Sequence, residues 1–363
     1  MALDRRTFIK NSSLLVSTSL LPYQSLFASS SKKQLGVCLV GLGYYSTDLL
    51  APALQLTKHC KLSGIVTGSP NKIPIWQKRY RIVDKNVYNY QNMHRIADNP
   101  DIDVIYIVLP TGMHAEYAIK AANTGKHVWC EKPMARTTKE CQSIIKACKD
   151  NNVKLSIGYR MQHEPNTQQI IQWGISKPYG NIKTIKAEAG YYDSRSNHWK
   201  QKKTMGGGAM YDMGVYPLNA TRYATNEEPI TVLKANHTTT RPKVYTEVDE
   251  TTTFSLEFPS GAIANCKTSF GEGLNQLHIT CEKGWYKLQP FQSYGGIHGT
   301  TSDRSTLLNQ YIPNQQAAQM DNDALSIINN TTVLVPGEEG MKDIKIVEAI
   351  YKSAKTNNAV SLI

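Results

Sequence analysis

The sequence has no apolar run near the ~18 residues that a bilayer crossing needs. Its greasiest stretch, Leu14 to Leu21, is short and broken by serines. Its 7 cysteines (38, 60, 130, 141, 148, 266 and 281) contain no C-x-x-C pair and form no cluster with histidine. That excludes a zinc ribbon and a dense disulfide scaffold, and no metal site is expected. There are no internal repeats and no low-complexity segment. Acidic side chains are in the minority, 29 against 41 basic ones, for a formal charge of +12. The basic residues are scattered, the densest cluster being Lys200, Lys202 and Lys203. The stripe that a nucleic-acid partner needs is therefore missing. What remains is ordinary globular composition over 363 residues, 40% of them hydrophobic, enough for two domains.

The first thirty residues read as an address. Asp4-Arg5-Arg6-Thr7-Phe8-Ile9-Lys10 precedes the weakly apolar stretch, and Ala28-Ser29-Ser30-Ser31 follows it. A charged start, a short apolar middle and a small-residue end make an export signal over residues 1–30, not an anchor. The paired arginines and the low hydrophobicity of the middle match the twin-arginine type. The expected location is the periplasm, with no membrane attachment once the signal is removed.

Residues 33–157 carry the pattern of a nucleotide-binding domain. Gln34 to Val40 is a short apolar strand running into Gly41-Leu42-Gly43-Tyr44-Tyr45-Ser46, and a helical pattern follows. Strand, glycine turn and helix is the context that gives G-x-G meaning: Gly41 permits the tight turn and Gly43 lets backbone amides approach a pyrophosphate. Ser46 replaces the third glycine and is small enough to keep helix and strand close. Further apolar strands at 61–67, 103–109, 126–130 and 154–157 alternate with helices at 114–123 and 137–151, capped by Thr137 or Thr138. That rhythm predicts a doubly wound parallel sheet with ligands at the carboxyl ends of its strands. The second strand ends on Thr67-Gly68-Ser69, with Lys72 and Lys78 or Arg79 nearby and no acidic residue to meet a ribose 2′-hydroxyl. Hydroxyls and a cation suit a 2′-phosphate, so the expected cofactor is NADP, with NAD as the other choice.

Glu131-Lys132-Pro133, Gly158-Tyr159-Arg160, Gly206-Gly207-Gly208 and Asp212-Met213-Gly214-Val215-Tyr216 follow in order. With GLGYYS, VIYIVLPTGMHAEYAIKAANTGKHVWCEKPMA and PGEEGMKDIKIVEAIYKSA, they resemble the glucose–fructose oxidoreductase/inositol dehydrogenase (Gfo/Idh/MocA) family, and within it the exported glucose–fructose oxidoreductases. The resemblance runs from about Lys33 to the end. It implies catalytic roles for Lys132, Asp212 and Tyr216. Tyrosine rather than histidine at 216 is the sugar–sugar oxidoreductase form. It also implies a cofactor seat at Gly41, Gly43, Tyr44, Tyr45, Thr67, Ser69, Lys72, Pro110, His114, Glu131 and Lys132. Substrate would meet Lys132, Tyr159, Arg160, Asp212 and Tyr216, with His163 and Trp199 as weaker pocket candidates. One departure is plain: the long arm that follows the signal in exported members is reduced here to Ser31 to Lys33.

The chemistry explains the residue types. Oxidising a carbinol sends a hydride to nicotinamide and a proton to a base. A tyrosine, with an ordinary pKa of about 10, serves only beside a cation such as Lys132. Asp212 would orient sugar hydroxyls or share the proton. Cys130 abuts this site but reads as a small buried side chain.

Residues 158–363 change to alternating strands, 183–191 and again 230–288, with hairpin turns at Pro259-Ser260-Gly261 and Lys283-Gly284. Helices at 315–329 and 338–355 close the chain. This predicts an α+β domain with a large open, mostly antiparallel sheet for substrate binding and assembly, its free face covered in a homodimer or homotetramer. The expected function is an NADP-dependent oxidation of an aldose at C1 to the lactone, with the hydride passed to a second sugar. A plain NAD(P)-dependent sugar dehydrogenase and an NAD-dependent glycosidase acting by transient oxidation are the alternatives.

Overall fold

Six strands line up in one parallel sheet in the order β3-β2-β1-β4-β5-β6. They are β1 Leu35–Val40, β2 Cys60–Val66, β3 Val87–Tyr88, β4 Val104–Ile107, β5 His127–Cys130 and β6 Leu155–Ile157. The computed structural model describes residues 34–363, so the export signal expected over 1–30 lies outside the described residues. In β1 every residue is buried because alternate side chains enter two different cores. Cys38 and Val40 join one, Val37 and Leu39 the other. This is what a parallel sheet covered on both faces demands.

The helix after β1 opens as a wide turn, Tyr45–Leu50, and continues as α1 Ala51–Ala53 with Pro52 in its first turn. α2 Ile73–Tyr80, which the sequence reading did not set apart, follows β2. α3 Thr111–Ala122 and α4 Thr138–Asp150 cover one face of the sheet. Thr137 caps α4 by accepting from the Glu140 amide. α5 Pro165–Ser176 and α6 Val215–Thr225 follow, with α7 Gln315–Ile328 and α8 Gly337–Thr356 near the end. α7 returns to the parallel sheet: its Ala317, Met320 and Ala324 pack with Val37, Leu39, Val104 and Trp129.

The second sheet has nine strands in the order β14-β13-β12-β11-β7-β10-β9-β8-β15. They are β7 Ile182–Gly190, β8 Thr231–Thr238, β9 Thr251–Glu257, β10 Ile263–Ser269, β11 Leu274–Cys281, β12 Gly284–Leu288, β13 Gly299–Thr301, β14 Leu307–Leu308 and β15 Val360–Ser361. The hairpins β9–β10 and β11–β12 are antiparallel, as their turns predict. β7 and β10 pair in parallel, a long-range neighbour relation that no local turn encodes. Ile185, Ala187, Phe254, Leu256, Ala264 and Leu277 point to the core, which α6 and α8 help to build. The outer face is polar, with Lys186, Glu188, Lys234, Ser255, Lys267 and His278 lining a shallow hollow of about 420 Å³. Among the described residues no helix is long and apolar enough to cross a membrane.

Candidate active site

β1 delivers the chain to the crevice where the strand order reverses, between β1 and β4. Gly41 sits at φ +93°, and a Cβ there would lie 2.4 Å from the Val108 carbonyl oxygen, so the fold itself requires glycine. Gly43 differs: a Cβ there would meet nothing within 4 Å, and its φ is not positive. Gly43 is exposed, and nothing in the protein itself excludes a side chain there. The buried Ser46 hydroxyl donates to the Gly41 carbonyl at 2.6 Å and ties the helix start to the turn. Tyr44 is exposed beside it, and the Tyr45 ring lies 6.2 Å from that of Tyr294.

The loop after β2 reaches the same turn. Lys72 Nζ donates to the Leu42 carbonyl at 2.5 Å, and the buried Thr67 hydroxyl accepts from the Ser69 amide at 3.0 Å. Arg79 does not join them; its guanidinium lies over the Tyr80 ring at 5.3 Å. These residues fit a dinucleotide: a glycine turn with open space above it, and hydroxyls and a lysine at the adenosine end. A Gly43→Val variant is expected to keep its melting temperature while losing at least about tenfold in NADP affinity, a loss of about 1.4 kcal/mol. Calorimetric titration with NADP and thermal unfolding of the same samples check this.

The lysine stands at the carboxyl end of β5. Glu131 beside it is buried, accepting from the Tyr106 hydroxyl at 2.7 Å and from the Lys132 amide at 3.2 Å. Burial pushes its carboxyl up to about 7. Tyr106 in turn receives Gln319 of α7 at 3.2 Å. Lys132 Nζ donates to the Asp212 carbonyl at 2.8 Å and stands 4.6 Å from the centre of the Tyr216 ring. Burial opposes its charge, but Tyr216 and Asp212 hold the ammonium above its ordinary value.

The facing wall is a wide helical turn, Met210–Gly214, that runs into α6. Asp212 and Tyr216 are four residues apart, which puts them on one helix face. Burial alone would raise the Tyr216 phenol; the neighbouring Lys132 and Arg160 cations outweigh it and bring the pKa below its usual value. Arg160 is fully buried, and it donates to the Gln315 side chain and the Gln292 and Ser293 carbonyls. Its guanidinium lies 5.5 Å from the Tyr216 ring and 4.4 Å from that of Tyr294. Arg160 thus serves Tyr216 as a second cation, where the sequence reading made it a substrate ligand. Asp212 Oδ2 accepts from Lys200 at 2.6 Å and from the Tyr191 hydroxyl at 3.3 Å.

Several residues fall elsewhere. His114 sits one turn into α3 behind Pro110, with its ring nitrogens 2.8 Å from the Leu109 carbonyl and 2.9 Å from that of Pro133. Both nitrogens face backbone carbonyls, and the neutral ring can donate to one of them, so His114 packs against the lysine loop. Burial holds it below its usual pKa. Tyr159 is buried with its hydroxyl pushed up by burial and by the Asp343 carboxylate, and it lines a hollow shared with Tyr216 and Asn219. His163 is half-buried and pushed down to about 4 by burial, while Trp199 places its ring 5.8 Å from Lys200 Nζ at the site's rim. The Cys130 thiol is driven up by burial and faces the Glu131 and Met134 carbonyls, an inert position. Sequence reasoning missed Lys200, Tyr191 and Tyr294 as parts of the site. The basic cluster at 200–203 was visible; its carboxylate partner was not. No group of three His, Cys, Asp or Glu side chains that could hold a metal is found among the described residues.

Comparison with known proteins accords with this geometry. Residues 35–159 match the description "Oxidoreductase family, NAD-binding Rossmann fold" and residues 167–287 match "GFO/IDH/MocA C-terminal domain". A D-xylose 1-dehydrogenase [NADP(+)] of Haloarcula marismortui is 25% identical over 338 residues, 89% of this chain and 92% of the relative. The crystal structure of an aldose-aldose oxidoreductase from Caulobacter crescentus, complexed with glycerol, superposes with a TM-score of 0.87 at 34% identity, covering 91% of this chain and 100% of the other. A levoglucosan dehydrogenase in complex with NADH and levoglucosan reaches 0.78 at 21% identity, over 91% and 99% of the two chains, which shows the shared fold.

Proposed function

The chain belongs to the Gfo/Idh/MocA family of oxidoreductases with an NAD-binding Rossmann domain, and from that premise we propose that it is an exported NADP-dependent sugar oxidoreductase. It oxidises an aldose at C1 to the lactone and reduces a second sugar in turn. The observation that carries this reading is the Tyr216 ring beside two cations, Lys132 and Arg160, in a chain whose first parallel strand ends on the glycine turn at Gly41. The nicotinamide, when bound, supplies the hydride chemistry. Tyr216 takes the proton of the C1 hydroxyl as its hydride leaves. It returns a proton to the carbonyl oxygen of the second sugar, so the phenol ends as it began. Lys132 stabilises the charge on both oxygens in turn, and Asp212 accepts from a sugar hydroxyl. The cation Lys72 and the hydroxyls of Thr67 and Ser69 favour a 2′-phosphate.

Export is proposed from the sequence of residues 1–30 alone, the paired Arg5-Arg6 ahead of a short, weakly apolar stretch. The polar outer face of the nine-stranded sheet is the surface proposed to meet a second copy.

The test is mass spectrometry of the gently purified full chain, followed by mixing with an aldose and a second sugar. The expected result is bound NADP, and lactone and reduced sugar in equal amounts with no nucleotide added. Protein that arrives empty and works only with added NADP is instead a plain sugar dehydrogenase. The NADP(+) xylose dehydrogenase relative and the short Ser31–Lys33 segment favour that second reading.

A further inference from the structure

We infer that Lys200 is a positioning residue for the reaction, holding Asp212 as a fixed, ionised acceptor for a sugar hydroxyl. The inference rests on the sugar-oxidoreductase reading above and assigns within it a side chain from outside the E-K-P and D-x-G-x-Y segments.

Lys200 reaches Asp212 from the short turn Trp199–Gln201, not from α6. Its ammonium donates to Asp212 Oδ2 at 2.6 Å and to the Tyr191 hydroxyl at 3.0 Å. Tyr191 passes its own proton toward the same Oδ2 at 3.3 Å. Both bonds fall on one oxygen, leaving Oδ1 without a protein partner among the described residues. A carboxylate pinned through Oδ2 presents Oδ1 as an acceptor of set direction, which is how a sugar hydroxyl is aligned. The carboxylate is mostly out of water, as is Lys200, at 15% and 18% side-chain exposure, so their attraction is weakly screened.

The surrounding charges make Lys200 the cation that matters. Lys132 donates to the Asp212 backbone carbonyl rather than its carboxylate. Arg195 is spent on Asp193, at 2.7 Å, and toward the Asp212 carboxylate it extends no further than the Tyr191 hydroxyl, at 3.2 Å. His198 lies against Arg195 at 3.3 Å, and burial first, then Arg195 and Lys200, keep it below its usual pKa. Asp249 takes the Met210 amide at 2.7 Å on the other side of the turn. Glu131 is bonded to Tyr106. Tyr216, one helical turn on, is held by Lys132 and Arg160. A held Asp212 is a poor proton shuttle, so the proton belongs to Tyr216 alone.

The backbone at 200 is fixed independently of the side chain, because the Gly208 amide donates to the Lys200 carbonyl at 2.8 Å. Lys200→Met therefore removes the charge and leaves the turn. The test compares wild type, Lys200→Met and Lys200→Arg by steady-state kinetics across pH. Carbon-13 titration of the aspartate carboxyls runs alongside, with Asp212→Asn giving the assignment. For Lys200→Met the expected result is a KM for the aldose raised at least about tenfold, the loss of one charge-assisted contact, with NADP affinity unchanged. The Asp212 titration moves to higher pH, because burial now acts unopposed by that cation, and the acid-side step of kcat/KM that lies below the Tyr216 limb moves with it. Lys200→Arg restores that step. An Asp212 midpoint that stays put in Lys200→Met, or a KM and acid-side step unchanged in an active variant, overturns the inference. A wild type that oxidises no aldose with either nicotinamide overturns the functional reading instead, and the carboxyl titration, which needs no turnover, then decides Lys200 alone.

Discussion

Replacing Lys132 by methionine is expected to lower kcat/KM for aldose oxidation by about 10³-fold, within the range that a positioned proton-transfer system contributes. Two opposing influences act on Tyr216. Burial pushes its phenol up, and the Lys132 and Arg160 cations pull it down. Lys132 is the nearer, at 4.6 Å from the ring centre against 5.5 Å for the Arg160 guanidinium. Without it the phenol rises toward or beyond its ordinary value of about 10, and less of it is the base at neutral pH. The limb on which activity climbs with pH therefore moves to higher pH, and part of the lost rate returns in alkaline buffer. Methionine keeps the aliphatic stem, and Lys132 makes its one amine hydrogen bond to a backbone carbonyl, so the melting temperature should stay close to wild type. Tyr216→Phe should lose a comparable amount without alkaline recovery. The double variant should be no worse than the poorer single one, because the two act as a unit. Pre-steady-state and steady-state rates over pH decide this; full activity in Lys132→Met removes the lysine from the chemistry.

Arg222→Leu is expected to destabilise the protein by about 3–5 kcal/mol, the cost of stranding a buried charge. Arg222 is almost fully buried on α6. It donates to Asp343 at 2.6 Å, to Glu228 at 2.7 and 2.8 Å, and to Glu339 at 2.9 Å. Asp343 is wholly buried, and it keeps Asn219 at 3.0 Å once the arginine is gone. Burial already raises its carboxyl above the usual value, and Arg222 is the main restraint on that rise. In the variant the folded state binds a proton that the unfolded state at neutral pH does not. Its stability deficit should therefore shrink as pH falls from 8 toward 5. Urea unfolding at several pH values measures both the deficit and its slope; a variant within 1 kcal/mol of wild type (about fivefold in the folded ratio) contradicts the assignment. The network joins α6, which carries Tyr216, to α8, so some activity should be lost along with stability.

Much of this was legible in the chain itself. Strands such as Val104–Ile107 stand out because they are buried on both faces and read as apolar runs, whereas the two-residue Val87–Tyr88 is too short to leave a pattern. The lysine and the Asp212/Tyr216 pair were reached through the resemblance carried by Glu131-Lys132-Pro133 and Asp212-Met213-Gly214-Val215-Tyr216. What was hidden depends on side chains far apart in sequence. Lys200 looks like any surface lysine until Asp212 is placed beside it. Arg160 looks like a substrate ligand until Gln315, more than 150 residues away, takes its guanidinium. His114 sits in a stretch that resembles a cofactor seat, yet its ring is held between the carbonyls of Leu109 and Pro133, one of which accepts its N–H. The parallel pairing of β7 with β10 and the return of α7 follow from tertiary closure and leave no local trace.

The docking of α7 also governs how the molecule comes off the ribosome. Val37, Leu39, Val104 and Trp129 are shielded on that side by Ala317, Met320 and Ala324. A nascent chain that has produced only the first sheet leaves this greasy flank bare until residues 315–328 have been synthesised. The dinucleotide half is consequently no detachable cassette: a fragment stopped after β6 should clump, and a fusion that borrows it must bring the distant helix along.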